Sequence, residues 1–134
     1  MKYYIDTNIC VYYIKGKYTK LLEKLLSKHP NDIKIPAIVK AELIYGAQKS
    51  ERKEKNEEVI KEFLLPFEII AFGDKQSVIY GKIRADLEKN GKIIGPNDLL
   101  IASIVLSEDG ILVTNNEKEF KKVKELKIEN WVRN

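Results

Sequence analysis

Cysteine, histidine, methionine and tryptophan each occur once in this chain of 134 residues, and proline only four times. Each scarcity excludes something. A lone Cys10 rules out an internal disulfide framework and a cysteine-based zinc site. The lone His29 lies in the turn-like Lys28-His29-Pro30-Asn31 with no obvious partner, so it reads as a surface residue and a Ser-His-Asp triad is not expected. No apolar run approaches the ~20 residues that a membrane span needs. Met1-Lys2 leads straight into apolar sequence, with no extended h-region or cleavage site of a secretory leader. A cytoplasmic location without a membrane partner is the resulting expectation. Charge of one sign is not segregated either. The net charge is +4 with a pI near 9.0, and no block of five residues is purely basic. That balance permits a polyanionic partner, but a solvated Lys/Glu surface explains it equally well. Internal repeats, low-complexity tracts and linkers are missing as well, and the length suits one domain, residues 1–134, with one core.

What the chain does have is alternation. Lys2–Ile5, Ile33–Ile35, Glu68–Ala71 and Ile111–Val113 read as short strands, with an edge strand over Ile128–Trp131. Helical patterns fall between them at Asn8–Ile14, Thr19–Ser27, Ala37–Gln48, Glu51–Leu64, Asp74–Asn90, Pro96–Ser107 and Lys118–Lys122. Pro36 stops one strand, Gly91 ends the long helix and Pro96 opens the next. Strands separated by helices imply βα crossovers, hence an α/β fold with a mainly parallel central sheet. The ligand crevice of such a sheet lies beyond the carboxyl ends of its strands.

Four acids stand beside apolar runs in this frame. Asp6 ends the first strand in Tyr3-Tyr4-Ile5-Asp6-Thr7-Asn8. It fits a helix N-cap, as Thr7 does, and equally a metal ligand. Glu42 lies in Ala41-Glu42-Leu43-Ile44-Tyr45-Gly46. Its helical neighbours Ile38 and Tyr45 place it on an apolar face, where a carboxylate needs pairing, protonation or coordination. Asp98, in Ile94-Gly95-Pro96-Asn97-Asp98, shares a face with Ile101, Ala102 and Val105. It also falls in a first helical turn, where the macrodipole favours an acid for purely structural reasons. Glu119 follows Thr114-Asn115-Asn116, and Asn116 with Glu119 has the spacing of a capping box. If the fold gathers these acids, carboxylates about 4 Å apart repel by roughly 4 kcal/mol per pair. A cluster of that kind normally requires a cation, and an all-oxygen site suits magnesium or manganese.

In this order and with these neighbours, the four segments resemble a PIN-domain ribonuclease, and more closely the VapC toxins of bacterial toxin–antitoxin pairs. The resemblance spans essentially the whole chain. It implies a PIN-like three-layer α/β/α domain and a Mg2+- or Mn2+-dependent endoribonuclease that cuts RNA, transfer RNA foremost, to inhibit translation. Carried over residue by residue, it makes Asp6, Glu42, Asp98 and Glu119 catalytic. Asp6, Glu42 and Asp98 bind metal directly or through water, and Glu119 holds a second ion or orients the attacking water. Thr114 orients the site, while Asn8 and Asn116 support its loops. The implied partners are a VapB-type antitoxin, whose C-terminal segment lies over the acidic pocket, and a second toxin copy in a homodimer. One position departs from the pattern: many PIN domains carry Asp two residues after the Thr of the last segment, where this chain has Asn116. Whether Glu119 or Asn116 completes the site is therefore open.

That departure sustains an alternative, a non-catalytic PIN-like module that binds RNA or protein. A phosphotransferase built on an aspartyl nucleophile fits poorly, because Asn8 stands where its second Asp belongs. Lys15, Lys49, Lys53 and Lys92 are candidates for a phosphate-guiding rim. Arg84 is either a phosphate contact, a partner of an acid or a plain surface residue. Tyr12, Tyr13, Ile14 and Leu21–Leu26 form either a groove for a partner helix or part of the core.

Overall fold

The apolar runs condense into one sheet because each is too short to bury itself alone. The computed structural model describes residues 1–133. Its strands are β1 (Tyr3–Ile5), β2 (Ile33–Pro36), β3 (Glu68–Ile70), β4 (Ile111–Val113) and β5 (Lys127–Glu129). The helices are α1 (Thr7–Ile14), α2 (Thr19–Leu26), α3 (Ala37–Gln48), α4 (Lys53–Leu64), α5 (Asp74–Lys89), α6 (Pro96–Ser107) and α7 (Glu117–Phe120). Every strand pair is parallel, in the order β3-β2-β1-β4-β5. The layers are α/β/α, as expected, and the sheet is wholly rather than mainly parallel.

Sheet and helices select each other. A parallel sheet is covered on both faces, so its strands read as unbroken apolar runs. Ile5, Ile33, Ile35, Leu112 and Val113 are fully or almost fully buried. Burying such a side chain contributes on the order of 1.5–3 kcal/mol. Lys34 escapes this rule because it lies opposite Glu68 on the neighbouring strand and pairs with it at 2.7 Å. Helix α6 is apolar nearly all round, and Leu99, Ile101, Ala102, Ile104 and Val105 are all buried. Ser103 and Ser107 are accommodated there by donating to the carbonyls of Leu99 and Ile104. The helix is thus wedged between the sheet and α5, which fixes where its N-terminus, and hence Asp98, can lie.

The differences from the sequence reading are local. Helix α1 begins one residue earlier, at Thr7, because the Asp6 carboxylate caps its first N–H. The last strand ends at Glu129. Trp131 is buried instead against Tyr3, with ring centroids 5.3 Å apart, so it anchors the chain end by packing rather than by sheet pairing. Gly91 ends α5 with a φ of 66°, as its position implied. His29 is exposed, and its Nδ1 accepts from the Asn31 N–H. Among the described residues, no helix is long and apolar enough to cross a membrane.

One glycine is required by close approach. A Cβ at Gly110 would fall well inside contact distance of the buried Tyr4 ring. Gly110→Ala is therefore expected to destabilise the fold by about 1–3 kcal/mol, the usual cost of overpacking. Urea unfolding checks this, and an unchanged midpoint would mean that the Tyr4 ring moves aside freely.

Candidate active site

In the strand order β3-β2-β1-β4-β5 the chain runs outward in both directions from the β1–β4 pair, so the topological switch, where crevices form in parallel sheets, lies between those two strands. Asp6 stands there, immediately after β1, and is 5% exposed. Its backbone N–H donates to Val113 O on β4 at 2.9 Å. Its carboxylate accepts from the Thr7 N–H at 2.9 Å and from Thr114 Oγ1 at 2.7 Å. Thr114 is fully buried, and its hydroxyl also accepts from the Asn116 N–H at 2.9 Å. The cap reading of Asp6 is thus satisfied through one oxygen, while Thr114 meets the other. Burial pushes the Asp6 carboxyl up from its ordinary value and Glu42 adds to that, while the bonds from Thr114 and Thr7 pull it back.

Glu42 arrives from α3, but not on the buried face that its neighbours suggested. Val39, Leu43 and Ala47 form that face, whereas Ile38 is half-buried and Tyr45 is 64% exposed. Glu42 projects from the flank, and both of its oxygens are engaged. Thr7 donates its hydroxyl to Oε1, and Asn97 donates Nδ2 to Oε2 at 3.2 Å. Neither donor stood out as a site residue in the sequence. Their only signal was adjacency, Thr7 following Asp6 and Asn97 preceding Asp98.

Asp98 lies in the first turn of α6, half-buried. The Asn116 amide reaches its Oδ2 at 3.5 Å. Glu119, on α7, is also half-buried, and both its oxygens lie 3.2 Å from Lys122 Nζ. The capping box expected of Asn116 and Glu119 is not formed. Asn116 does precede α7, but its side chain makes no cap bond, because it turns toward Asp98 instead. Asn8 is exposed on the first turn of α1, and no side-chain hydrogen bond involves it among the described residues. Asn115 accepts from Asn130 at 3.0 Å, away from the acids.

The electrostatics tie the four acids together. Asp98 is pushed up to about 6, first by burial and then by the charges of Asp6, Glu42 and Glu119. Negative charge is therefore in excess around Asp98, and Lys122 offsets only Glu119. Among the described residues, no three Asp, Glu, His or Cys side chains are gathered closely enough to hold a metal ion as they stand. The donor set nonetheless fits a hard divalent cation: it is all oxygen, it carries surplus negative charge and its two aspartates are held on rigid elements. Mg2+ in particular keeps several waters and takes one or two carboxylates.

Beside Glu42 and Thr7 runs a groove of about 590 Å³ between α1, α3 and α4, with Val11, Ile14, Leu43 and Val59 in its walls and Lys15 and Lys49 on its lining. Lys53 and Lys92 are exposed outside that lining. Arg84 belongs to a surface ladder, bonded to Tyr80 at 2.8 Å and to Glu88 at 3.0 Å. In the stretch Leu21–Leu26, Leu21 and Leu25 belong to the core, while Leu26 is exposed. Tyr13 packs on Phe63, and Tyr12 on Tyr18.

Comparison with known proteins places this geometry. The chain matches the PIN domain family over residues 3–126. It is 51% identical over 134 residues to ribonuclease VapC2 of Rickettsia felis, covering 98% of both chains. It is 36% identical over 131 residues to the tRNA(fMet)-specific endonuclease VapC of Shigella flexneri, again covering 98% of each. Among solved structures it resembles VapBC2 from Rickettsia felis bound to a DNA fragment from its promoter. There the TM-score is 0.89 at 47% identity, covering 98% of this chain and 99% of that one.

The raised Asp98 carboxyl has a measurable consequence in metal-free protein. Between its ordinary 3.8 and about 6, the folded chain binds more protons at this site than the unfolded chain does. Stability therefore falls as pH rises through that window. Asp98→Asn is expected to remove the penalty, raising stability at neutral pH by about 1 kcal/mol after allowance for solvent screening. Urea unfolding with EDTA across pH 4–7.5 checks both the gain and the flattened profile. A variant less stable than the parent at neutral pH would contradict it.

Proposed function

The chain belongs to the PIN domain family, among the VapC ribonucleases, and from that premise we propose that it is a toxin that cleaves RNA and is neutralised by a VapB-type antitoxin. The observation that carries this reading is that Asp6, Glu42, Asp98 and Glu119 face one crevice, where burial first and then the charges of the other three push the Asp98 carboxyl up to about 6. Four like charges held at the switch point of a parallel sheet are costly for a fold and have a direct use in phosphodiester hydrolysis.

The cofactor in this reading is Mg2+ or Mn2+, with Asp6, Asp98 and Glu42 as the residues that would hold it. When bound, such an ion neutralises charge on the scissile phosphate and makes water a better nucleophile. The chain's own residues do the rest. Thr114 and the Thr7 N–H fix the direction of Asp6. Asn116 reaches toward Asp98. Glu119, at the rim beside Lys122, orients the attacking water or holds a second ion. Lys15 and Lys49 draw the phosphates of the RNA along the groove that ends at Glu42.

Transfer RNA is the proposed substrate, by the likeness to the tRNA(fMet)-specific endonuclease, and that substrate implies action in the cytoplasm. The likeness to a VapBC complex supports the antitoxin. We extend it to a toxin homodimer within that complex.

Asp6→Asn removes the charge at nearly constant shape and leaves one acceptor oxygen for the Thr7 and Thr114 donors. On total transfer RNA, the antitoxin-free protein is expected to cut at discrete positions with Mg2+ or Mn2+ and not with EDTA, and the variant to lose at least about a hundredfold in rate. If folded, metal-supplied protein cuts neither transfer RNA nor a broad cellular RNA pool but still binds RNA, the non-catalytic module replaces this reading. Lys15→Glu or Lys49→Glu is expected to lower the salt-dependence slope of RNA binding by roughly 0.7 per lost phosphate contact. An unchanged slope removes that lysine from the track.

A further inference from the structure

The geometry points to Asn97 as a positioning residue that, together with Thr7, holds the Glu42 carboxylate in the crevice. Glu42 is unlike the two aspartates. They are short side chains on the ends of β1 and α6, whereas Glu42 is a longer one on the flank of α3, with an exposed tyrosine one turn away. Left to itself, such a glutamate samples several rotamers in water. Here its two oxygens are held from different elements, Oε1 by the Thr7 hydroxyl of α1 and Oε2 by the Asn97 amide of α6.

Asn97 precedes Asp98 in the same helical turn. Its bond therefore spans 55 positions of sequence to tie the helix that carries one acid to the helix that carries another. Its side chain is otherwise exposed, so this contact is its evident role. The chemistry of the amide suits the place. Asn97 donates without bringing charge, whereas an Asp there would add a fifth carboxylate, and a Lys would pair with Glu42 and compete with any cation. This inference rests on the ribonuclease reading for its activity and Mn2+-binding measurements only.

The test is a double-mutant cycle of Asn97→Ala and Glu42→Gln in the full-length chain, read by RNA cleavage, by Mn2+ binding in calorimetry and by thermal melting. Asn97→Ala is expected to lower kcat roughly tenfold with KM within about twofold, the signature of a misplaced group rather than a lost binding contact. Mn2+ affinity should fall severalfold with the melting temperature nearly unchanged. Since Asn97 acts through Glu42, adding Asn97→Ala to Glu42→Gln should cost little more than Glu42→Gln alone. Asn97→Ser, which restores a donor, should recover part of the loss if a water bridges the gap.

Full activity and Mn2+ affinity in Asn97→Ala, or fully multiplicative effects in the double variant, would overturn the assignment. So would a collapse in melting temperature in both Asn97→Ala and Asn97→Ser, which would make Asn97 structural. If the parent protein neither cuts RNA nor binds Mn2+, the ribonuclease reading fails while the clamp remains testable. The Asn97 side-chain amide signal of 15N-labelled protein must shift on Glu42→Gln, and no shift would refute the clamp.

Discussion

A carboxylate buried at the end of a central strand must be met by donors, and that requirement organises this molecule. Asp6 leaves β1 at the point where the sheet changes direction, with almost no water around it. Two donors answer it at once. The first N–H of α1 and the Thr114 hydroxyl bond its two oxygens, while its own N–H continues the ladder to β4. These contacts join β1, α1 and the end of β4 into one corner, and the Thr114 hydroxyl passes the constraint on to Asn116. The crevice is therefore built by satisfying one buried charge.

The other acids are held by progressively looser means. Asp98 takes its position from α6, whose all-round burial leaves that helix little freedom. Glu42 depends on two side-chain donors, Thr7 and Asn97. Glu119 is offset by Lys122, which also reaches the Ile93 carbonyl at 3.1 Å. This gradient from rigid to adjustable would suit the proposed binding of a cation and an RNA backbone. The innermost carboxylate is fixed, and those nearer the rim can respond. Lys15 and Lys49 stand on the groove beside the pocket rather than among the acids.

Much of the fold was legible from local rules. Pro36, Gly91 and Pro96 mark element ends for stereochemical reasons that need no tertiary contact; Gly91 and Pro96 do so as read, whereas Pro36 is itself the last residue of β2, paired with Ile70. Unbroken apolar runs identify parallel strands because both faces of such a sheet are covered. The readings that failed were those in which a side chain has a choice of partners. The spacing of Asn116 and Glu119 suggested a mutual cap, but Asn116 turned to Asp98, a residue 18 positions away. The neighbours of Glu42 suggested a buried face, but α3 packs through Val39, Leu43 and Ala47, a third of a turn around. Trp131 suggested a strand, but its ring found Tyr3.

By itself, then, the sequence determined the strand and helix alternation, the parallel sheet and the identity of the four acids beside their apolar runs. Those features follow from backbone stereochemistry and from apolar patterning, which act over a few residues. Only the tertiary structure decided which donor serves which oxygen: Thr114 on Asp6 across 108 positions, Thr7 across 35 and Asn97 across 55 on Glu42. A hydrogen bond needs its partners within about 3 Å and in line. Such closeness between distant parts of the chain exists only after the helices have packed on the sheet.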